Sequence, residues 1–183
     1  SQVTTDTKYS DETGYGFDKY STDLQAADGQ TKNALLTDYI SSNKPFYFSV
    51  KLPEGNYDVK VILGDPLSTA AATIRAECRR LMIGNVATGK GKYATVNFTV
   101  HVKDSLIRNE MKEVVSKVRL KEREINYLHW DNNLTLEFNG AAPKICAVEI
   151  APNKTATTVF LAGNSTVVDQ DKEPWAAWGQ MIP

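Results

Sequence analysis

Hydrophobic and polar residues alternate with a period of two over much of the chain, which is typical of strands with one buried face. The clearest alternating segments are residues 46–52, 57–63, 96–102, 134–138 and 146–150. The turn sequence Pro53-Glu-Gly-Asn56 separates the first two and predicts an antiparallel hairpin. Roughly seven or eight such strands, with no long helical pattern between them, predict an all-β sandwich.

Other segments are less regular. Residues 73–83 predict a further strand, with Cys78 and Arg79 on opposite faces, and residues 84–92 predict a hairpin tip. Residues 21–32 lack periodicity and predict a loop. Residues 106–118 fit either a helix or a loop that leads into a strand at about 115–121, and we favour the strand.

A different pattern follows near the C-terminus. Residues 159–162 form a short apolar run, which predicts a strand buried on both faces of a parallel sheet. Gly163 ends the run, Ser165 follows in a turn of small polar residues, and Pro174 precedes a segment with helical spacing. An α/β hydrolase presents its serine nucleophile on a strand, turn and helix arranged in this order.

These residues also carry a resemblance. The sequence Phe-Leu-Ala-Gly-Asn-Ser-Thr at 160–166, with Asp169-Gln170 and Trp-Ala-Ala-Trp-Gly-Gln-Met at 175–181, resembles the opening block of SGNH/GDSL esterases. Within them it is most similar to rhamnogalacturonan acetylesterases of pectin breakdown. The resemblance implies that Ser165 is the nucleophile of the parent enzyme. Asn164 stands where that family usually has Asp. The triad is expected to be incomplete in this chain, which alone should be inactive.

The resemblance extends to residues 51–64, 77–82 and 130–140, which are similar to the galactose-binding, jelly-roll-like N-terminal domain of bacterial members. It implies a β-sandwich accessory domain at residues 1–153. Residues 154–183 would be a linker and the first strand, turn and helix of a truncated SGNH esterase domain. The expected function is an accessory domain, able to bind carbohydrate, of an esterase that acts on acetylated pectin. The alternatives are a free-standing carbohydrate-binding module and a structural or assembly domain.

Composition narrows the expected partners. The net charge of −1 gives no overall field that would favour nucleic acid or an anionic membrane. No apolar run approaches the roughly 20 residues that a membrane span needs. We expect no cofactor and no metal site, two free thiols at Cys78 and Cys146 rather than a disulfide, and a secreted or periplasmic location. Plant cell-wall pectin is the partner that the resemblance implies.

Three residues are candidates for carbohydrate binding. Tyr15 could stack on a sugar, although a buried plug at one end of the sandwich is the favoured interpretation. Arg79, with Arg80, could grip a carboxylate such as that of galacturonate, although a solvated strand edge is favoured here too. Trp130 could stack on a sugar ring as an aromatic residue at a loop tip.

The apolar C-terminal tail raises a separate expectation. We expect residues 158–183 to dock against the sandwich or against a second copy of the chain, and so to favour self-association. Phe160 and Leu161 would pair at a sheet edge, and Trp175 and Trp178 would cover apolar surface.

Overall fold

Two five-stranded antiparallel sheets form the molecule in this computed structural model, which describes residues 1–28 and 33–182. The strands are β1 Tyr15–Phe17, β2 Gln25–Asp28, β3 Asp38–Ser41, β4 Phe46–Lys51, β5 Gly55–Asp65, β6 Ala70–Ala76, β7 Arg80–Thr88, β8 Lys92–Val102, β9 Leu106–Arg108, β10 Val114–Lys117, β11 Asn133–Ala142 and β12 Lys144–Pro152. A short helix, Ala34–Thr37, and two 3₁₀ helices, Glu122–Glu124 and Trp178–Met181, complete the described elements. The predicted all-β sandwich is confirmed.

The strand order is β1-β4-β11-β6-β7 in the first sheet and β2-β3-β12-β5-β8 in the second. β9 and β10 pair with each other as a separate hairpin. Strands that follow one another in the sequence are often not neighbours in a sheet. Many strands therefore pair with strands from distant parts of the chain. The long pairings β5–β8 and β5–β12 fix the register of the second sheet.

The core lies between the sheets and takes every second residue of the central strands. On β11, Leu134 and Leu136 are fully buried, and the Phe138 ring lies 5.2 Å from that of Phe46. Phe17 is also buried in this core, as a plug should be, whereas Tyr15 on the same strand is only partly buried. Burying each such side chain stabilises the fold by about 1.5–3 kcal/mol.

The predicted strand over residues 73–83 is wrong in its second half. Glu77 and Arg79 have φ values of 55° and 60°, in the left-handed region, and the chain turns between β6 and β7 at residues 77–79. β7 therefore occupies most of the predicted hairpin tip, and the actual tip is at residues 89–91. Alternation continues through both strands and the turn lacks Gly or Pro, so the reversal is not visible in the pattern.

Two further predictions need correction. β2 lies in the segment predicted as a loop and pairs with β3, while residues 29–32 of that prediction lie outside the described residues. The strand predicted at about 115–121 is β10, which ends at Lys117 and is exposed along its length. It pairs with β9 rather than with either sheet, so none of its side chains reaches the core.

The predicted strand at residues 159–162 and the helix behind Pro174 are also wrong. No described strand pairs with the apolar run, and Val159 and Phe160 are 75% and 65% exposed. The only regular element of the tail in the described residues is the 3₁₀ helix Trp178–Met181. Cys78 and Cys146 are free, as expected. None of the described helices is long and apolar enough to cross a membrane.

Candidate functional site

The turn that carries Ser165 is closed by the side chain before it. Asn164 Oδ1 accepts hydrogen bonds from the backbone N and Oγ1 of Thr166, at 3.1 and 2.7 Å. Asn is well suited to this role, since its side chain mimics a backbone turn. Ser165 is exposed and lines a shallow cavity of about 410 Å³. The other lining residues are Thr166, Gln170, Trp175, Ala176 and Trp178.

The residues around this cavity do not activate a serine. Among the described residues that line it there is no histidine, lysine or carboxylate. A serine hydroxyl is a weak nucleophile unless an adjacent base takes its proton. The described residues that line this cavity therefore supply no base to Ser165.

The β6–β7 turn brings Arg79 to the Ser165 segment. Arg79 Nη1 donates to the backbone oxygens of Gln170 and Trp175, at 3.2 and 2.8 Å. Gln170 Nε2 in turn donates to the backbone oxygen of Ser165 at 3.1 Å. The structure thus connects two of the candidate residues, Arg79 and Ser165, through Gln170.

Gln180 makes the most buried contact between the tail and the sandwich, with 1% of its surface exposed. Its Nε2 donates to the backbone oxygens of Cys78 and Gln170, at 2.7 and 3.0 Å, and its Oε1 accepts from the backbone N of Ala177 at 2.9 Å. The sequence analysis missed this residue. Its one signal was a polar side chain between Trp178 and Met181, within an apolar segment.

A carboxylate from the tail, that of Glu173, also binds the sandwich near the β6–β7 turn. Glu173 Oε1 accepts from Arg75 Nη1 and Nη2, both at 3.1 Å, and from Arg79 Nη2 at 3.4 Å. Arg75 Nη1 also lies 3.1 Å from Oε1 of Glu137 on β11. Arg79 does contact a carboxylate, but it is that of Glu173 in the same chain, and the second arginine is Arg75 and not Arg80. The favoured interpretation of Arg79 as part of a solvated strand edge is wrong, since its side chain is 12% exposed. Binding of galacturonate stays a prediction. The β6–β7 turn reverses the chain between Arg79 and Arg80, so the pattern could not identify this neighbour.

The tail docks on the sandwich, but not through the apolar residues for which we predicted this contact. Phe160 and Leu161 pair with no sheet edge among the described strands. Trp175 and Trp178 are 68% and 51% exposed, and so cover little apolar surface. Polar side chains hold this segment because the β6–β7 turn offers backbone oxygens and guanidinium groups rather than an apolar face.

Ionisable groups lie buried beneath the turn. Glu77 Oε1 accepts from the backbone N of Thr135 at 3.2 Å, while its Oε2 has no hydrogen-bond partner among the described residues. Burial raises the pKa of Glu77 well above its ordinary value. Burial also raises the pKa of the Cys78 thiol to about 12, so this thiol is not a nucleophile at neutral pH. Across the described residues, no cluster of His, Cys, Asp or Glu could hold a metal ion.

The structure places Trp130 in an aromatic group beside the Arg79 site, and it places Tyr15 away from that site. Lys103 Nζ lies 4.3 Å from the centroid of the Trp130 ring, which also packs edge-on against His129 at 5.9 Å. His129 Nδ1 lies 3.5 Å from Asp169 Oδ2, so this aromatic group contacts the tail directly before Gln170, which Arg79 binds. Tyr15 is on β1, at the opposite end of the first sheet from β6 and β7.

A second, polar groove lies on the outer face of the other sheet. Its volume is about 420 Å³, and its lining residues are Asp58, Val59, Lys60, Asn97, Phe98, Thr99, Glu149 and Ala151. Thr99 Oγ1 and Asn153 Nδ2 donate to Asp58 Oδ1, at 2.7 and 2.8 Å. These hydrogen bonds, that from Asn153 first, lower the pKa of Asp58. Lys60 and Glu149 form an ion pair at the same surface.

Comparisons with known proteins show which proteins this chain is similar to. The "Uncharacterized esterase YxiM" of Bacillus subtilis (strain 168) is 28% identical over 139 residues, which cover 74% of this chain and 30% of that protein. The crystal structure of the Bacillus subtilis YxiM protein superposes with a TM-score of 0.57 and 25% identity, over 99% of this chain and 46% of that chain. A family 35 carbohydrate-binding module from Paenibacillus barcinonensis gives a TM-score of 0.41 and 11% identity, over 79% of this chain and 98% of the module.

The chain thus spans about a third of the curated relative and less than half of the related crystal structure. The model of the family described as "Beta-agarase/YXIM esterase-like, galactose-binding domain-like" matches residues 1–112, which include β1 to β9. The chain belongs to this family of galactose-binding-like domains related to the β-agarase and YXIM esterases.

Proposed function

We propose that the chain is the accessory sandwich of an SGNH-type polysaccharide esterase and that it holds the segment bearing the catalytic serine. The observation that carries this proposal is the bonding of the β6–β7 turn to that segment through Arg79 and Gln180. The family relationship to esterases supports it. We place the boundary between the two parts at residue 153, directly after β12.

In the parent enzyme Ser165 would attack the carbonyl carbon of an acetyl ester. A histidine from another part of the protein would take the serine proton, and backbone N–H groups would stabilise the oxyanion. The resemblance of residues 160–181 to rhamnogalacturonan acetylesterases supports acetylated pectin as the substrate. Such a substrate lies outside the cell, which supports a secreted or periplasmic location.

Acetate release from acetylated rhamnogalacturonan tests this function in a protein that contains this chain and the following catalytic domain. We expect Ser165→Ala to abolish release, and Ser116→Ala, at an exposed serine of β10, to leave it unchanged. The present chain alone should not hydrolyse p-nitrophenyl acetate above background. Turnover by this chain that Ser165→Ala removes would contradict the incomplete triad, and full activity of the longer Ser165→Ala protein would contradict the assigned nucleophile.

A second candidate function, binding of a neutral polysaccharide, is favoured by the polar groove on the second sheet. Asp58, Asn97 and Thr99 present hydrogen-bonding groups at its surface. A glycan array tests this function on the isolated chain. Binding that Asn97→Ala weakens and Asn85→Ala, at an exposed position of β7, does not would support the groove as the site.

We also propose that the exposed apolar residues of the tail favour self-association. Val159, Phe160 and Trp175 are each at least 65% exposed, and apolar patches of this kind mark interaction surfaces. Light scattering should show a dimer or larger species, and truncation after Ala156 should give a folded monomer. A strictly monomeric full chain would contradict this proposal.

A further inference from the structure

A row of functional side chains crosses the outer face of the first sheet. Glu137 on β11 lies opposite Tyr47 of β4 on one side and opposite Arg75 of β6 on the other. Adjacent strands are about 4.8 Å apart, so this row spans about 10 Å. The phenol, carboxylate and guanidinium groups thus lie along one line on the same surface.

The arginine end of the row is built to hold a carboxylate. Three N–H groups from Arg75 and Arg79 converge on one oxygen of Glu173, at 3.1 to 3.4 Å. The planar fork of arginine matches carboxylate geometry better than lysine does. The structure therefore shows a carboxylate site that is occupied by a residue of the same chain.

The occupant is at the surface while the site is not. The side chains of Arg75 and Arg79 are 19% and 12% exposed, whereas that of Glu173 is 64% exposed. The guanidinium groups are held in place by the protein, and the carboxylate reaches them from the solvent side. A carboxylate from another molecule could approach along the same path once Glu173 has moved away.

The charges at this position favour an anion. Arg75 and Arg79 carry two positive charges, and Glu137, 4% exposed beneath them, supplies at most one negative charge. Burial raises the pKa of Glu137, and the positive charge of Arg75 opposes this shift. Without Glu173 the two guanidinium groups would keep a net positive charge that faces solvent, and this charge favours the approach of another anion.

The other end of the row carries two tyrosines that could contact a sugar. The Tyr47 and Tyr20 rings lie 6.3 Å apart, edge to face, and Tyr20 is 51% exposed. Burial raises the pKa of Tyr47 to about 12, so its hydroxyl stays protonated and can donate a hydrogen bond. Aromatic rings with a polar tip offer stacking for a pyranose and a partner for its hydroxyls.

We propose that Arg75 and Arg79 form a binding site for the carboxylate of a uronic-acid residue in an acidic polysaccharide, and that Glu173 occupies this site in its absence. The neighbouring sugar would lie over Tyr47 and Tyr20. This deepens the proposed function and rests on it in one respect, since acetylated pectin is the acidic polysaccharide proposed there as the substrate.

Calorimetry on the full chain with trigalacturonate, and with galactotriose as the neutral control, tests the site. Glu173→Gln removes an internal competitor whose effective concentration is on the order of millimolar or higher. We expect this variant to bind trigalacturonate at least about tenfold more tightly than the unchanged chain. Affinity for galactotriose should not change, and added salt should weaken the trigalacturonate complex.

The matched variants are made in the Glu173→Gln chain. Arg75→Lys keeps the charge beside Glu137 but loses the fork, and should remove the gain, as should Arg79→Lys if the first variant fails to fold. Arg108→Lys, on β9, should retain the gain. No tighter binding by Glu173→Gln, an equal gain for galactotriose or for a triglutamate peptide, or equal effects of Arg75→Lys and Arg108→Lys would overturn the site. None of these results depends on acetate release, so they leave the proposed esterase function to its own test.

Discussion

The sandwich and the tail use similar residues in opposite ways. Phe138 on β11 is 1% exposed, whereas Phe160 in the tail is 65% exposed, although both lie in segments that the sequence predicts as strands. β11 has β4 on one side and β6 on the other, so its register directs alternate side chains into the core. The run around Phe160 has no such partner among the described strands. Burial therefore follows from strand pairing and not from the local run alone.

Within the tail, a polar residue is buried while an aromatic residue is exposed, which reverses the usual pattern. The tail residue Gln180 is 1% exposed and bonds to the β6–β7 turn, while Trp175 in the same tail is 68% exposed. A segment that buries its polar side chains and exposes its aromatic ones leaves its apolar surface free to pack against another domain. This arrangement supports the proposal that the tail begins a second domain.

The comparison is tested most strongly by removing the two phenylalanines. Phe138→Ala leaves a cavity beside Phe46 and should lower the free energy of unfolding by about 3–5 kcal/mol. Phe160→Ala should change it by less than about 0.5 kcal/mol, since exposed positions tolerate truncation. Urea denaturation followed by circular dichroism measures both values. Similar losses in the two variants would mean that the tail run is buried in solution.

The buried carboxyl group of the β6–β7 turn gives a pH-dependent effect. Burial raises the pKa of Glu77 in the folded chain, so its contribution to stability is fully present below its ordinary pKa of 4.5 and is lost as pH rises through the folded value. Glu77→Gln keeps an acceptor for the Thr135 amide but cannot ionise. The stability of this variant minus that of the unchanged chain should therefore be larger at pH 8 than at pH 5.

Thermal melting at the two pH values measures that difference. Glu110→Gln, at an exposed position, serves as the control and should give the same difference from the unchanged chain at both pH values. A Glu77→Gln advantage that does not grow with pH would show that Glu77 is not buried as described.

The surface ion pair should give the smallest effect on stability. Glu173 is 64% exposed, and exposed ion pairs contribute about 0–1 kcal/mol because solvent screens them. Glu173→Gln should therefore lower the melting temperature only slightly, and less in high salt. A large, salt-independent loss would show that Glu173 is a buried structural residue, which would also weaken the carboxylate site.

Sequence pattern predicted the sandwich well because strands with one buried face leave a period-two signal. Residues 57–63 and 134–138 were assigned to strands in this way, and both lie in central strands of the structure. The turn at residues 77–79 could not be predicted in the same way. Its left-handed backbone at Glu77 and Arg79 is imposed by tertiary pairing of β6 with β7 and carries no Gly or Pro.

The candidate site was predicted in part. The sequence offers Arg79 as a candidate for binding a carboxylate but favours a solvated strand edge, and Arg75 and Glu173 join it only through sheet register and the path of the tail. Gln180 has no chemical signature that distinguishes it from any surface glutamine. Which polar residues meet across 100 or so positions depends on long-range topology, and a local pattern does not encode it.

Hydrogen exchange of the tail tests most directly whether polar contacts with the β6–β7 turn hold the Ser165 segment. Amides such as that of Trp178, which donates to the backbone oxygen of Thr166 at 3.0 Å, should be protected in the unchanged chain. Gln180→Ala breaks the bonds to Cys78 and Gln170 and should lower the free energy of local opening by about 1–3 kcal/mol. Trp178→Ala, in the same 3₁₀ helix but 51% exposed, should leave that protection nearly unchanged. Loss of protection in Trp178→Ala and not in Gln180→Ala would contradict this mode of attachment.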